Sequence, residues 1–367
     1  MIHADTALFT PTALGRVTLK NRFIRSATWD GLGAADGGFT KTQRELYRKL
    51  AAGGVGLITT GYIAVSPEGR RNPTQNLLVD LRQQEGLAEI ARIVHDHGAR
   101  LAAQLVHCGG LARSLVEHRK IFAPSAVEHP LFAEEAPREM TISEIETTIA
   151  AFAAAAARAR EAGCDLVQIH SAHGYLISQF LSPFSNRRRD GYGGDLAGRS
   201  RFLLEIYQRI RKSVGDDYTI TIKINGADYL ADGLTLAESL EAARQLAALG
   251  LDGVEVSGGN QVAKPLTPVP TGIRPGKNEV PFAAEISSFA TNLSIPVIGV
   301  GGIRSLETAL SLRRQGVALV SLCRPLIREP DLITRWQKGD HRPAACISCN
   351  RCFIPAFKGQ GITCQEV

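Results

Sequence analysis

Leu166-Val167-Gln168-Ile169-His170-Ser171-Ala172-His173-Gly174-Tyr175-Leu176 decides how the rest of this chain is read. Upstream, Ile145, Ile149, Phe152 and Ala156 share one face of an Ala-rich helical pattern that stops at Gly163. The apolar run 166–169 then reads as a strand buried in a parallel sheet. Such a strand delivers its last residues to one rim of an α/β fold, the rim where these folds put their sites. Here the rim receives two imidazoles, His170 and His173, and the phenol of Tyr175. A phenol beside two hydrogen-bond donors can hold an oxygen anion and hand over a proton. Each residue taken singly suits packing. All three at one strand end, followed by Gln179-Phe180-Leu181-Ser182-Pro183 and Arg189-Asp190-Gly191-Tyr192-Gly193-Gly194, point to chemistry.

The same phrase recurs along the chain: a capped amphipathic helix, a glycine that stops it, and an apolar strand. Residues 8–20, punctuated by Pro11 and Gly15, are expected to form a hairpin ahead of the main fold, and residues 21–29 a first strand. Thr42 with Glu45 suggests a capping box on a helix that ends at Gly53-Gly54, before a strand at 55–58. Leu87, Ile90, Ala91 and Val94 mark a helical face that stops at Gly98, ahead of a strand at 101–107. A helix over 202–212 precedes a strand at 218–224, and Thr235 with Glu238 caps a helix that reaches Gly250 before Val254-Glu255-Val256. A strand at 295–300, a helix from Ser305 to about Gly316 and a strand at 317–322 complete the series.

Strands joined through helices run parallel, and right-handed crossovers curl the sheet, so eight such units can close into a barrel. An open doubly wound sheet would bring Gly-x-Gly-x-x-Gly after its first strand, and none stands there. Gly299-Val300-Gly301-Gly302-Ile303-Arg304 resembles it only in part and follows the seventh strand, where barrels hold phosphate on backbone amides. Arg324, just past the eighth strand, adds a positive charge there.

Hydrophobic residues make up 44% of the 367, enough for a large core. There is no run of about 18 apolar residues, and the N-terminus lacks the basic-then-apolar pattern of a signal peptide. A cytoplasmic protein without membrane association is therefore expected. The net charge of +6 is modest, and the cluster Arg187-Arg188-Arg189 lacks the interleaved aromatics of a nucleic-acid groove. It reads as a solvated loop or as help for an anionic ligand. Cys108, Cys164 and Cys323 are scattered, whereas Cys346, Cys349, Cys352 and Cys364 crowd the tail. In a reducing compartment such crowding points to a metal or cluster rather than to disulfides.

Asn21-Arg22 with its strand, Ala103-Gln104-Leu105-Val106-His107, His170-Ser171-Ala172-His173-Gly174-Tyr175, Phe180-Leu181-Ser182-Pro183, Asp190-Gly191-Tyr192-Gly193-Gly194 and Cys323-Arg324-Pro325-Leu326 together resemble the Old Yellow Enzyme family of NAD(P)H:flavin oxidoreductases, over about residues 8–331. The resemblance implies an α/β fold, a TIM (β/α)8 barrel, with FMN lying across its C-terminal mouth. It implies NAD(P)H as a transient co-substrate and a small-molecule acceptor with an activated alkene, such as an enone, reduced by ping-pong hydride transfer from flavin N5. Homo-oligomers are common in the family. Carried over residue by residue, His170 and His173 would grip the acceptor's oxygen and stabilise a developing enolate, and Tyr175 would protonate the α-carbon. Gln104 would bond the flavin pyrimidine ring, Gly301, Gly302 and Arg324 would cradle the phosphate, and Ala27, Thr28 and Cys323 would line the cofactor. Three residues depart from the family pattern. Lys223 stands where most members carry arginine near flavin N1 and O2, keeping the charge without the bidentate fork. Trp29 replaces a Thr or Cys beside flavin O4, where its indole N–H either donates or only packs. Tyr62 replaces a small residue and receives no role.

The tail resembles the cluster-binding segment of larger relatives, 2,4-dienoyl-CoA reductase and trimethylamine dehydrogenase. That likeness implies a [4Fe–4S] cluster on Cys346, Cys349, Cys352 and Cys364; tetrahedral zinc and an empty knot of thiols are the alternatives. Those relatives continue into nucleotide-binding domains, while this sequence stops three residues after Cys364, so a separate electron-transfer partner is expected. The chain divides into an FMN-binding barrel, 1–331, and a cysteine-rich C-terminal extension, 332–367. Two competing functions are a metal-dependent hydrolase on His170 and His173, which lacks further ligands at other strand ends, and a non-enzymatic redox-responsive binding module.

Overall fold

The computed structural model describes residues 7–112, 121–127, 137–260 and 280–366. Eight strands alternate with helices along the chain: β1 (Phe23–Arg25), α1 (Lys41–Ala52), β2 (Leu57–Thr59), α2 (Leu81–His95), β3 (Arg100–Val106), α3 (Ile142–Glu161), β4 (Leu166–Ser171), α4 (Leu196–Val214), β5 (Thr219–Asn225), α5 (Leu236–Ala248), β6 (Gly253–Ser257), α6 (Ala283–Asn292), β7 (Val297–Val300), α7 (Leu306–Arg314) and β8 (Leu319–Leu322). Each strand pairs in parallel with the next, and β8 pairs with β1, so the sheet is closed. This is the expected (β/α)8 barrel. Closure pairs every barrel strand on both sides, and helices cover the outside, which is why these strands are almost wholly apolar or buried along their lengths.

Helix starts follow local chemistry. Thr141 with Glu144 and Thr235 with Glu238 form reciprocal capping boxes, each worth about 1 kcal/mol. At α1 the box is Thr40 with Gln43, not Thr42 with Glu45. Thr40 keeps extended backbone and its hydroxyl accepts from Gln43 N–H, which leaves Thr42 inside the first turn. The expected first strand, 21–29, is paired only over Phe23–Arg25, because beyond Ser26 the backbone leaves the ladder to line the barrel mouth.

The hairpin ahead of the barrel is present, with Thr12–Leu14 antiparallel to Val17–Leu19. Its Leu14 and Leu19 are fully buried in one cluster with Ile24, Leu57, Ala102, Leu166, Ile298 and Leu319 from six strands. The hairpin therefore plugs the end where strands begin, each leucine contributing about 1.5–3 kcal/mol. The opposite end stays open. Leu332–Gln337 packs beside the barrel: Trp336 is fully buried, its ring 5.8 Å from that of Phe23. Within the basic cluster Arg187 and Arg189 are exposed, as a solvated loop requires, and only Arg188 departs from that reading. It is buried, donates to the carbonyls of Pro124 and Met140 at 2.9 and 2.7 Å, and pairs with Asp190 at 2.6 Å. Its role in the structure is to tie a loop, not to meet an anion.

Candidate active site

β4 runs one turn of the pleat further than the apolar run, so His170 is itself a strand residue at the open end. His173 and Gly174 follow in left-handed backbone, with φ of 64° and 75°. That region is uncommon for a non-glycine residue and costs of order 1–3 kcal/mol unless neighbours impose it. They do: the His173 N–H donates to Asn225 Oδ1 at 3.1 Å, and its ring bonds Ser257 Oγ at 2.8 Å. The two reversed residues turn the chain so that Tyr175 falls back over His170. The rings of His170 and His173 meet edge-on at 5.2 Å, and those of His170 and Tyr175 at 4.9 Å.

Both imidazoles are neutral at pH 7. Burial, then His173 and Lys223, holds His170 well below the ordinary histidine value. Burial and Lys223 draw His173 down to about 3. His170 Nδ1 accepts from the Ala172 N–H at 3.2 Å, which leaves the proton of the neutral ring on Nε2. Tyr175 is 3% exposed, and burial raises its phenol while Arg71 acts against that rise. His170 thus offers an uncharged N–H donor, beside a neutral His173 ring and a protonated phenol.

These groups line a cavity of about 330 Å³ at the C-terminal ends of the strands. Ala27, Thr28 and Trp29 reach it after β1, Gln104 from β3, Lys223 from β5, Gly301 after β7, and Cys323 and Arg324 after β8. Gly302 is next to the lining but not part of it. Beneath the cavity runs a buried polar layer. Gln104 Nε2 donates to Gln168 Oε1 at 2.7 Å, Gln168 Nε2 to Glu255 Oε2 at 2.9 Å, and Lys223 Nζ lies 3.3 Å from Glu255 Oε1. Burial works against the Glu255 carboxylate, yet Lys223, Gln168 and Ser26 more than offset it and hold its pKa below the usual range.

The wall fits a flat, anionic, heteroaromatic cofactor such as FMN. The indole N–H of Trp29 is buried with no partner, a donor left for a ligand oxygen. Gly301 and Gly302, with φ of 110° and 70°, turn the backbone where a side chain would be strained, as a phosphate loop requires. Arg324 stands beside them on the lining.

Several lining residues were given no role from the sequence. Tyr62, Arg71 and Asn72 come from the segment between β2 and α2, and Asn350, Phe353 and Phe357 from the tail. Tyr62 was visible only as a departure from the family pattern; Arg71 gave no signal beyond following the turn at Pro67–Gly69. The Phe357 ring packs 5.3 Å from that of Trp29, so the tail forms one wall of the mouth. All four tail cysteines line a second, smaller pocket with Arg324, Arg328 and Asn350, and Arg328 Nη1 donates to Cys364 Sγ at 3.4 Å. Burial pushes the Cys352 thiol up to about 12 and also raises Cys346. Among the described residues, no three His, Cys, Asp or Glu side chains are arranged to hold a metal ion, and no helix is long and apolar enough to cross a membrane.

The comparisons with known proteins agree with this geometry. A model of the NADH:flavin oxidoreductase / NADH oxidase family matches residues 7–342. The chain is 38% identical over 330 residues to an NADPH dehydrogenase of Geobacillus sp. (strain WCH70), covering 89% of this chain and 92% of that one. It is 36% identical over 347 residues to an NADH oxidase of Thermoanaerobacter brockii, covering 94% of this chain and 52% of that protein, so it spans about half the relative's length. The structure of an Old Yellow Enzyme homologue from Zymomonas mobilis superposes with a TM-score of 0.79 at 26% identity, covering 92% of this chain and 94% of that one. With these matches and a cavity that fits the cofactor, the chain belongs to the NADH:flavin oxidoreductase / NADH oxidase family.

Proposed function

We propose that this protein is an FMN-dependent NAD(P)H oxidoreductase of the ene-reductase kind, reducing the activated C=C bond of an enone or similar small acceptor. The observation that carries the reading is the meeting of two neutral imidazoles and a buried phenol in the cavity wall, with Lys223 beside His170 on the next strand. FMN, when bound, supplies the hydride. Gly301, Gly302 and Arg324 would hold its phosphate; Gln104, Lys223, Trp29, Ala27, Thr28 and Cys323 would meet its ring system. His170 Nε2–H and the His173 ring bind the acceptor's oxygen and draw charge from its β-carbon. Donors of this kind are worth roughly 3–4 kcal/mol each when charge develops on the oxygen. Tyr175 gives its proton to the α-carbon, a step to which a placed acid contributes about 10²–10⁴-fold. NAD(P)H docks in the same cavity in turn, as ping-pong exchange requires.

A second reading is favoured by the pocket that all four tail cysteines line: a dehydrogenase that passes electrons to a partner through a [4Fe–4S] cluster on Cys346, Cys349, Cys352 and Cys364. A tetrahedral zinc draws its four sulfurs together around one ion, whereas a cluster takes one thiolate per iron. What supports this reading is the spacing of the four cysteines and their shared pocket alone, since the described side chains are not drawn into a ligand set. The division into a barrel, 1–331, and an extension, 332–367, belongs to the same proposal. The deciding experiment is an absorption spectrum of anaerobically purified protein with flavin and iron quantified. A colourless protein that does not take up added FMN overturns the first reading; flavin without iron leaves the first standing and removes the second.

A further inference from the structure

Tyr175 sits in an enclosure that the family resemblance does not describe. Its hydroxyl hydrogen-bonds the Arg71 guanidinium and the Tyr62 hydroxyl. The Tyr62 ring lies 5.5 Å from the Tyr175 ring, and Asn72 Nδ2 donates to Tyr62 Oη at 3.4 Å. Arg71 is held firmly for a loop residue: its N–H donates to Oε1 of fully buried Gln75 at 2.7 Å, and neighbouring Arg70 is anchored to the carbonyls of Ala35 and Gln75, each at 2.9 Å. The other groups around the phenol carry no charge at neutral pH. His170 is a neutral imidazole, the Cys108 thiol is pushed up to about 12 by burial, and burial raises Tyr62 well above the ordinary phenol value.

Proton donation by Tyr175 creates a charge on a side chain that is almost wholly buried. The phenol O–H bond breaks, a C–H bond forms at the acceptor's α-carbon, and the electron pair stays on the phenolic oxygen. A phenolate sealed from solvent is costly unless a cation or donors face it. We propose that Arg71, seconded by the Tyr62 hydroxyl, is the positioning residue for this step: it aims the Tyr175 phenol and stabilises the phenolate left behind. This rests on the reading of Tyr175 as the acid. Arg71 then acts on acidity rather than on shape, since an opposite charge within hydrogen-bond reach lowers an acid's pKa and its loss raises it.

The test uses the FMN-loaded protein, with ¹³Cζ-labelled tyrosine assigned by Tyr175→Phe. In Arg71→Gln, the Tyr175 pKa is expected to rise by about one unit or more, and single-turnover reduction of cyclohexenone to slow at least tenfold. The alkaline limb of that rate moves to higher pH, because the acid works only while protonated. Arg71→Lys, which keeps the charge, should recover part of both effects, and Tyr62→Phe should show smaller shifts in the same sense. If Tyr175→Phe slows the acceptor step but Arg71→Gln and Tyr62→Phe leave both the Tyr175 pKa and that step unchanged, the inference is wrong and the proposed function survives. If Tyr175→Phe itself leaves the step unchanged, the reading on which the inference rests has failed first.

Discussion

The Lys223 amine lies 3.3 Å from the Glu255 carboxylate in the barrel floor, both side chains at 5% exposure or less. Ser26 and Gln168 bond the same carboxylate, so the cation is fixed under the cavity rather than free to swing. Removing the carboxylate leaves a buried cation without its counter-charge. Glu255→Gln is therefore expected to cost about 3–5 kcal/mol of unfolding free energy in the apoprotein, read from denaturant titrations. It should also raise the reduction potential of bound flavin, because an uncompensated lysine favours the anionic reduced ring. A potential unchanged from wild type would contradict the placing of Lys223 against the ring.

Tyr175→Phe keeps the ring that packs on His170 and removes the hydroxyl, and with it the transferable proton. Flavin reduction by NAD(P)H should stay near the wild-type rate while acceptor reduction slows by about 10²-fold or more. Stopped-flow measurement of the two half-reactions separates these. Equal slowing of both would take the acid role away from Tyr175.

His170→Ala and His173→Ala each delete one hydrogen bond to an oxygen anion. A bond of that kind is worth about 1.5–3 kcal/mol, so the affinity for a para-substituted phenol should fall roughly ten- to a hundredfold in each variant. Spectral titration of the oxidised flavoprotein measures it, and unaltered binding removes the residue from the oxyanion site.

Acid stability follows from the buried imidazoles. Burial holds His107 and His173 at about 3 and His170 well below its ordinary value. An unfolded histidine titrates near 6.5, so between these values the unfolded chain binds protons that the folded one refuses. Stability must fall as pH drops from about 6.5 toward 3. Glu255, held low in the fold, adds a loss in the same direction below its ordinary range. Asp30 and Asp228, raised by burial, pull the other way. The denaturation midpoint should be lower at pH 5 than at pH 7, and His107→Gln should flatten that slope.

If the tail holds the proposed cluster, anaerobically purified protein should contain about four irons per chain, lost in Cys349→Ala without loss of FMN. Colorimetric iron and flavin assays on the same sample decide it. Iron that survives the substitution would move the cluster off these thiols.

Much of the barrel was legible because its signals are local. Thr235 with Glu238 caps α5 as read, and the glycines at 98, 163 and 250 follow the ends of their helices by two or three residues. The capping box at α1 was misplaced by two residues because Thr40 and Thr42 satisfy nearly the same pattern, and only backbone geometry separates them. Arg188 was misjudged because charge alone does not reveal whether carbonyls wait nearby. The cavity gathered His170, His173, Tyr175, Gln104, Lys223 and Arg324 because every parallel strand ends at the same rim.

The alternation of strand and helix, and the order in which polar residues arrive at strand ends, are written in side-chain periodicity and caps and so follow from the residues alone. Only the tertiary structure decided which distant segments share the cavity. Arg71 and Tyr62 reach Tyr175 from across β3, and the tail aromatics reach Trp29, because ring closure and the path of each crossover set those distances. Nothing in the local pattern of either segment encodes its partner; contact is made by the sheet curling shut.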